Sequence, residues 1–405
     1  MNRILPVLSA CALMIFASCS SNESNESEAS YNLELAPLGD IKGALPHLYT
    51  DLDNQVYLSW VDKVADSAIF QFAKLENNEW SSARQIASGK NWFVNWADYP
   101  MIATMHGKNF FSHHLAKSSE GTYSYDVTAK MSNEAGNSWK PKFVLHDDGM
   151  EAEHGFVSIT PYEGNFLVVW LDGRNTVAPE GHENMEGHHG AMTLRAAVMD
   201  TLGVKQSEWE LDNRVCDCCQ TSVAITDNGP IVIYRNRSEE EIRDMHIVRL
   251  VNGEWTKPQP LYNDNWKIPG CPVNGPRVSA IGNNAAVAWF TAATEPRVNV
   301  VFSNNGGETF SEAIRLDQGK AIGRVDVVMI DERRAFVSWM EGENIESAIV
   351  SADGKIEQRF LIASSSTSRS SGFPQITSNG ENIIVAWTDT ESGTIKTGII
   401  SLTSR

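Results

Sequence analysis

The sequence predicts an all-β fold: a β-propeller of seven blades closed by an amino-terminal strand, with six blades and one extra hairpin as the alternative. Three observations lead there. Seven segments open with a short strand pattern: Pro46-His47-Leu48-Tyr49, Tyr99-Pro100-Met101-Ile102, Phe156-Val157-Ser158-Ile159, Ser222-Val223-Ala224-Ile225, Arg277-Val278-Ser279-Ala280, Val325-Asp326-Val327-Val328 and Phe373-Pro374-Gln375-Ile376. Each is followed by a turn and a second apolar strand, ending in Trp60, Trp170, Trp289, Trp339 or Trp387, with Phe111 and Tyr234 at the equivalent place in repeats two and four. The recurrence at about fifty residues is a period typical of propellers and related arrays. No segment carries a long helical period.

The elements follow in chain order. Arg3 precedes an apolar run from Ile4 to Phe16, and small residues then lead into Cys19, as in a bacterial lipoprotein signal. The run is too short to span a bilayer. Residues 1–18 therefore read as a cleaved signal, with Cys19 as the lipidated first residue of the mature chain. Residues 19–30 read as a polar tether unable to bury a core, and 31–405 as the propeller. The expected location is the bacterial envelope, lipid-anchored in the outer membrane and facing either the periplasm or the surface. The stretch Tyr31 to Leu38 is a spare strand, and the last repeat stops one strand short after Thr394 to Leu402. Pairing the two would close the ring and remove its open edges.

The 405-residue chain has a formal charge of −18, and loss of Arg3 with the signal takes it to −19. Such a body repels nucleic acid and anionic lipid surfaces, although arginines gathered in one pocket can reverse the field locally.

Within repeat five the strands read as Arg277 to Ile281, Ala285 to Phe290, Val298 to Ser303 and Phe310 to Leu316. The turn Ser303-Asn304-Asn305-Gly306-Gly307-Glu308-Thr309-Phe310 resembles the Asp-box of sialidase-type propellers, with Asn for Asp and Phe for Trp. Ser132 to Trp139 is a looser copy, and Asn78-Glu79-Trp80 and Gly253-Glu254-Trp255 are truncated ones. In such turns short polar side chains bond the backbone and the aromatic wedges between blades. The resemblance implies an active rim on the face away from these boxes.

That rim collects the loops leading into each innermost strand and those joining second to third strands. They bring together His47, Asp98, His154, Cys216, Cys218, Cys219, Cys271, Asn274 and Arg324 with His113, His114, Asp172, Arg174, Arg235, Arg237 and Arg243. An insertion from Gly173 to Met192 adds His182, His188 and His189. The insertion and all four cysteines should crowd one sector.

Sialidase-like chemistry, as the resemblance implies it, uses arginines to clamp a sugar carboxylate, a Tyr–Glu pair to attack and an Asp as acid/base. Arg174, Arg235, Arg237, Arg243 and Arg324 are the clamp candidates, Asp98 the acid/base and Glu241 a general base. The same arginines could instead bridge blades, and Glu241 could be a surface charge. The chain has Leu45-Pro46-His47 where such propellers carry an Arg-Ile-Pro element, and no motif assigns a nucleophilic Tyr. The expected ligand is an acidic carbohydrate, cleaved by an exo-acting glycoside hydrolase or simply bound. For Cys216, Cys218, Cys219 and Cys271 two readings stand: a pair of disulfides in an oxidising compartment, or a copper or zinc site joined by His182, His188 and His189. The competing functions are thus a metal or redox propeller and a non-catalytic interaction scaffold.

Overall fold

The computed structural model describes residues 33–177 and 190–402; Cys19, the tether and His182, His188 and His189 lie outside them. The described chain forms seven antiparallel sheets, the blades of one propeller, with a single short 3-10 turn at Arg369–Ser371. Among the described residues no helix is long and apolar enough to cross a membrane.

Each blade begins at an innermost strand: Ala44–Thr50, Met101–Met105, His154–Tyr162, Ser222–Thr226, Arg277–Ile281, Ala321–Met329 and Gln375–Ser378. The second strands are the most apolar because both faces are covered by neighbouring blades. Asn165–Asp172 and Asn284–Thr291 are buried at nearly every position, and Trp60, Trp170, Trp289 and Trp339 are enclosed, with Trp387 half-buried. The outermost strands vary most, from two residues at Phe143–Val144 in blade two to nine at Ile356–Ser364 in blade six. In blade five the outer strand is only Ile314–Arg315, shorter than the sequence pattern from Phe310 to Leu316 suggests. In blades one and four a two-residue hairpin strand, Glu79–Trp80 or Glu254–Trp255, precedes the outer strand.

Blade seven is shared between the chain ends, as expected. Leu35–Lys42 lies antiparallel to Thr394–Ser401 and supplies the outer edge of that sheet. The strand runs past Leu38, where the sequence reading stopped it. A register shift between Pro37 and Gly39 leaves Leu38 unpaired; Gly39, whose φ of 109° only Gly adopts readily, pairs with Thr397, and pairing continues to Lys42.

The polar turns behave as their chemistry predicts. Ser303 Oγ accepts from Gly307 N at 3.0 Å, and Asn305 Oδ1 accepts from Thr309 N at 3.0 Å. Gly307 has a φ of 77°, and a Cβ there would sit 3.0 Å from Ile247 of blade four. The aromatic at the end of each turn packs between blades. Trp139 meets Phe72 of blade one and Phe110 of blade two, Trp255 meets Trp209 of blade three, and Phe310 packs into the core shared by blades four and five.

Blades are also stitched near the axis. A side chain of one innermost segment accepts the amide of the next: Asp98 from Phe156 N (2.9 Å), Ser222 from Val278 N (3.0 Å), Ser279 from Met329 N (2.9 Å) and Asp326 from Ile376 N (2.8 Å).

Candidate functional site

The loops expected to share a rim do so. They enclose a cavity of about 590 Å³ whose walls come from the loops leading into blades two, three, four, five and seven and from the second-to-third loops of blades two, three and four. Thr176 and Gly190 to Met192, the described flanks of the blade-three insertion, face the same cavity as Cys218 and Cys271. The described flanks of the insertion and the cysteine loops therefore share one sector, as the repeat alignment predicts.

One wall carries a pair that no motif signalled. Tyr125 opens the third strand of blade two, and Glu153 immediately precedes the innermost strand of blade three. The Tyr125 hydroxyl donates to Glu153 Oε1 at 2.6 Å. Burial, with Asp217 adding repulsion, raises Glu153 to about 7 despite that hydrogen bond. Burial likewise lifts Tyr125 well above the ordinary phenol range, with Asp98 and Glu153 adding to it. Phe93 stacks on Tyr125 with ring centroids 4.1 Å apart, and Trp96 stacks on Phe373 at 5.5 Å. Arg369 lies over the Trp96 ring at 5.9 Å, and Arg237 also lines the cavity.

Asp98 sits behind this wall, 2% exposed. Its Oδ1 accepts Phe156 N while Oδ2 has no partner, and burial pushes its carboxyl well above the usual range. A Cβ on Gly155 would fall 2.0 Å from that Oδ2, so only glycine lets the chain pass. Asp98→Asn should keep the acceptor for Phe156 and melt at or above the wild-type temperature at pH 8, because it deletes a buried ionisable group. Asp98→Ala should cost about 1–3 kcal/mol by orphaning a buried amide. Thermal denaturation of the two variants checks both outcomes, and loss of turnover in the stable Asn variant would mark an acid/base duty beyond the latch.

The predicted arginines divide by environment. Arg235 is 1% exposed, gives its hydrogen bonds to the carbonyls of Asn274, Arg243 and Phe290, and lies over Trp266 at 4.8 Å. Arg324 bonds Ser371 Oγ and the carbonyls of Gly372 and Thr367, and burial lowers it to about 10. Arg174 pairs with Asp172 (2.7 Å) and Asp148 (3.1 Å) beside a stacked His146–His154 pair. These three brace loops, and none of them lines the cavity. Of the five clamp candidates the structure brings only Arg237 to the cavity wall, where it pairs with Asp217 and Glu241 at 3.0 and 2.7 Å. Glu241 also pairs with Arg243 at 2.8 Å, and the hydrogen bonds from Arg237 and Arg243 hold its carboxyl below the usual value. A carboxylate tied to two guanidiniums is a weak proton acceptor, so its placement suits charge balance rather than base catalysis. His113 and His114 are buried and His47 half-buried, and desolvation lowers each to about 3, leaving them neutral.

The cysteines form the other feature. Cys216 Sγ stands 3.9 Å from Cys218 Sγ and 3.6 Å from Cys219 Sγ, and Cys271 lines the rim cavity together with Cys218. All four are free thiols. Arg243 Nη1 lies 3.1 Å from Cys216 Sγ. Burial opposes ionisation of Cys216, but hydrogen bonds from the two neighbouring thiols and the nearby Arg243 and Arg235 hold it well below the ordinary thiol value.

No family model and no curated protein matches the sequence. Among solved structures, similarity is to propellers at low identity. An ulvan lyase of polysaccharide lyase family PL25, bound to a GlcA–Rha3S glycan, matches with a TM-score of 0.54 and 11% identity over 91% of this chain and 96% of that one. The NanB sialidase of Streptococcus pneumoniae (K499G mutant) matches with a TM-score of 0.47 and 10% identity over 86% and 83%. BBS1N, solved in complex with ARL6DN, matches with a TM-score of 0.50 and 11% identity over 92% and 97%. The likenesses to the ulvan lyase and to BBS1N show the fold alone.

Proposed function

We propose that the chain is a glycan-active propeller that takes the end of an acidic glycan into the rim cavity and cleaves it as an exo-acting glycoside hydrolase. The observation that carries this reading is the Tyr125–Glu153 pair, set in a cavity that offers aromatic faces and guanidinium groups together. Tyr125 Oη supplies a nucleophile once Glu153 accepts its proton, and Glu153 titrates where a general base is most effective. The Trp96 and Phe93 rings suit the apolar faces of a sugar, and Arg369 and Arg237 suit its carboxylate. If the leader is lipidated at Cys19, the cavity works at the bacterial envelope on glycans that reach it there.

The test is release of free sugar from sialosides and from uronic-acid-terminated oligosaccharides, with calorimetric binding of the same ligands in parallel. Cleavage of either class, lost in Tyr125→Phe, supports the reading. Absence of both cleavage and binding across the two classes overturns it. Binding without turnover by wild type would instead identify a glycan receptor.

A further inference from the structure

The proposed glycan chemistry leaves the four cysteines unused. We propose that Cys216, Cys218, Cys219 and Cys271 form a thiolate site for a soft d10 cation, of the Cu(I) or Zn(II) class, set into the wall of the rim cavity. It is independent of the glycan reading.

The spacing of the sulfurs is the first argument. Two sulfurs each about 2.3 Å from a tetrahedral ion lie about 3.8 Å apart. Cys216 Sγ is 3.6 and 3.9 Å from its two neighbours, and the three sulfurs all lie within 4.8 Å of one another. A disulfide instead needs about 2.05 Å and its own dihedral, and would pair sulfurs rather than group three. Cys271 lines the same cavity as Cys218, so it is the nearest thiol that a shift of its exposed loop could bring in as a fourth ligand.

The frame around the sulfurs is the second argument. Cys216 N donates to Arg235 O at 2.9 Å, fixing one end of the loop. At the other end Gln220 donates to Ala97 O at 2.7 Å and accepts from Gly275 N at 2.9 Å, tying the loop to blades two and five. Asp217, between the cysteines, is held by Arg237. The backbone is thus set before any ion arrives, which lowers the cost of gathering the ligands.

Charge is the third. Three thiolates around one monovalent ion carry a net charge of about −2, and four around a divalent ion carry the same. Arg243, 3% exposed and 3.1 Å from Cys216 Sγ, and the buried Arg235 stand where they offset it. A neutral disulfide sulfur would give the Arg243 guanidinium little to bond. The ligand set is all sulfur, which selects soft cations over Mg(II), Ca(II) or Mn(II). Cys216 and Cys219 are buried, whereas Cys218 and Cys271 face the cavity, so an ion can enter from the rim.

The full-length chain, reduced and handled without oxygen, would be titrated with Cu(I) against bathocuproine disulfonate and separately with Zn(II) against a chromogenic chelator. One equivalent of either ion is expected, with an all-sulfur shell by X-ray absorption; a three-sulfur shell would assign Cu(I) and a four-sulfur shell Zn(II). Cys218→Ser and Cys219→Ser should each weaken binding by more than the about 10–100-fold typical of losing an outer-shell partner. Half-exposed Cys218 keeps the test open if the buried Cys219 variant fails to fold. A reduced, folded wild type that binds neither ion more tightly than the Cys218→Ser variant overturns the proposal. So does mass spectrometry showing both disulfides fully formed in protein taken from a bacterial envelope.

Discussion

Replacing Glu153 by Gln is expected to lower kcat/KM for a cleaved acidic glycoside by at least about 100-fold, the lower end of what a positioned general base contributes. The substitution keeps the shape and a hydrogen-bond acceptor for Tyr125 while removing the ability to take its proton. The wild-type profile should climb through about pH 7, because burial raises the Glu153 carboxyl to that value and only the ionised form accepts a proton. In the Gln variant that rising limb should vanish. A pH–rate profile of both proteins reads the two effects together; an unchanged limb in the variant would assign the titration to another group.

The second large effect is expected at the seam of blade seven. Deleting residues 33–42 removes the strand paired with Thr394–Ser401 and uncovers the side of the blade where Ile395 and Ile400 are buried. Each buried aliphatic side chain so uncovered costs about 1.5–3 kcal/mol. Whole domains are stable by only about 5–15 kcal/mol, so a few such losses exhaust the margin. The truncated protein should lose its cooperative thermal transition and enter the void volume on size exclusion. Adding a peptide spanning residues 33–42 should restore a monomer by strand addition. A deletion that melts like the intact protein would mean that the seam contributes little.

The blade count and the crowded sector were legible because both depend on periodicity. Once the innermost strands are aligned, the loop carrying Cys216 to Cys219 and the loop carrying Cys271 must lie side by side on neighbouring blades. What side chains do within that sector was not legible. Arg235 and Arg237 are two residues apart, yet the first ends a strand and turns into backbone carbonyls, while the second stands in the loop beyond it and faces the cavity. Tyr125 had no signal at all. Its role follows from Glu153, far along the chain and in the next blade, one residue before the His154 that the rim pattern did pick out. Asp98 was legible as a rim carboxylate but not as a latch, since its partner is an amide rather than a side chain.

The stitching along the axis has a direction. Every acceptor named there sits on the earlier blade and every amide on the later one, from Asp98 and Phe156 to Asp326 and Ile376. A nascent chain can therefore add blades in the order they are made, each finding its acceptor already in place. The strand made first is the exception, because Leu35–Lys42 has no partner until Thr394–Ser401 exists. Throughout that interval it is a bare β-edge, open to capture by another molecule of the same protein. Its sequence is guarded accordingly: Pro37 withholds a donor, Gly39 breaks the register, and Asp40 and Lys42 place charge where a stray strand would dock.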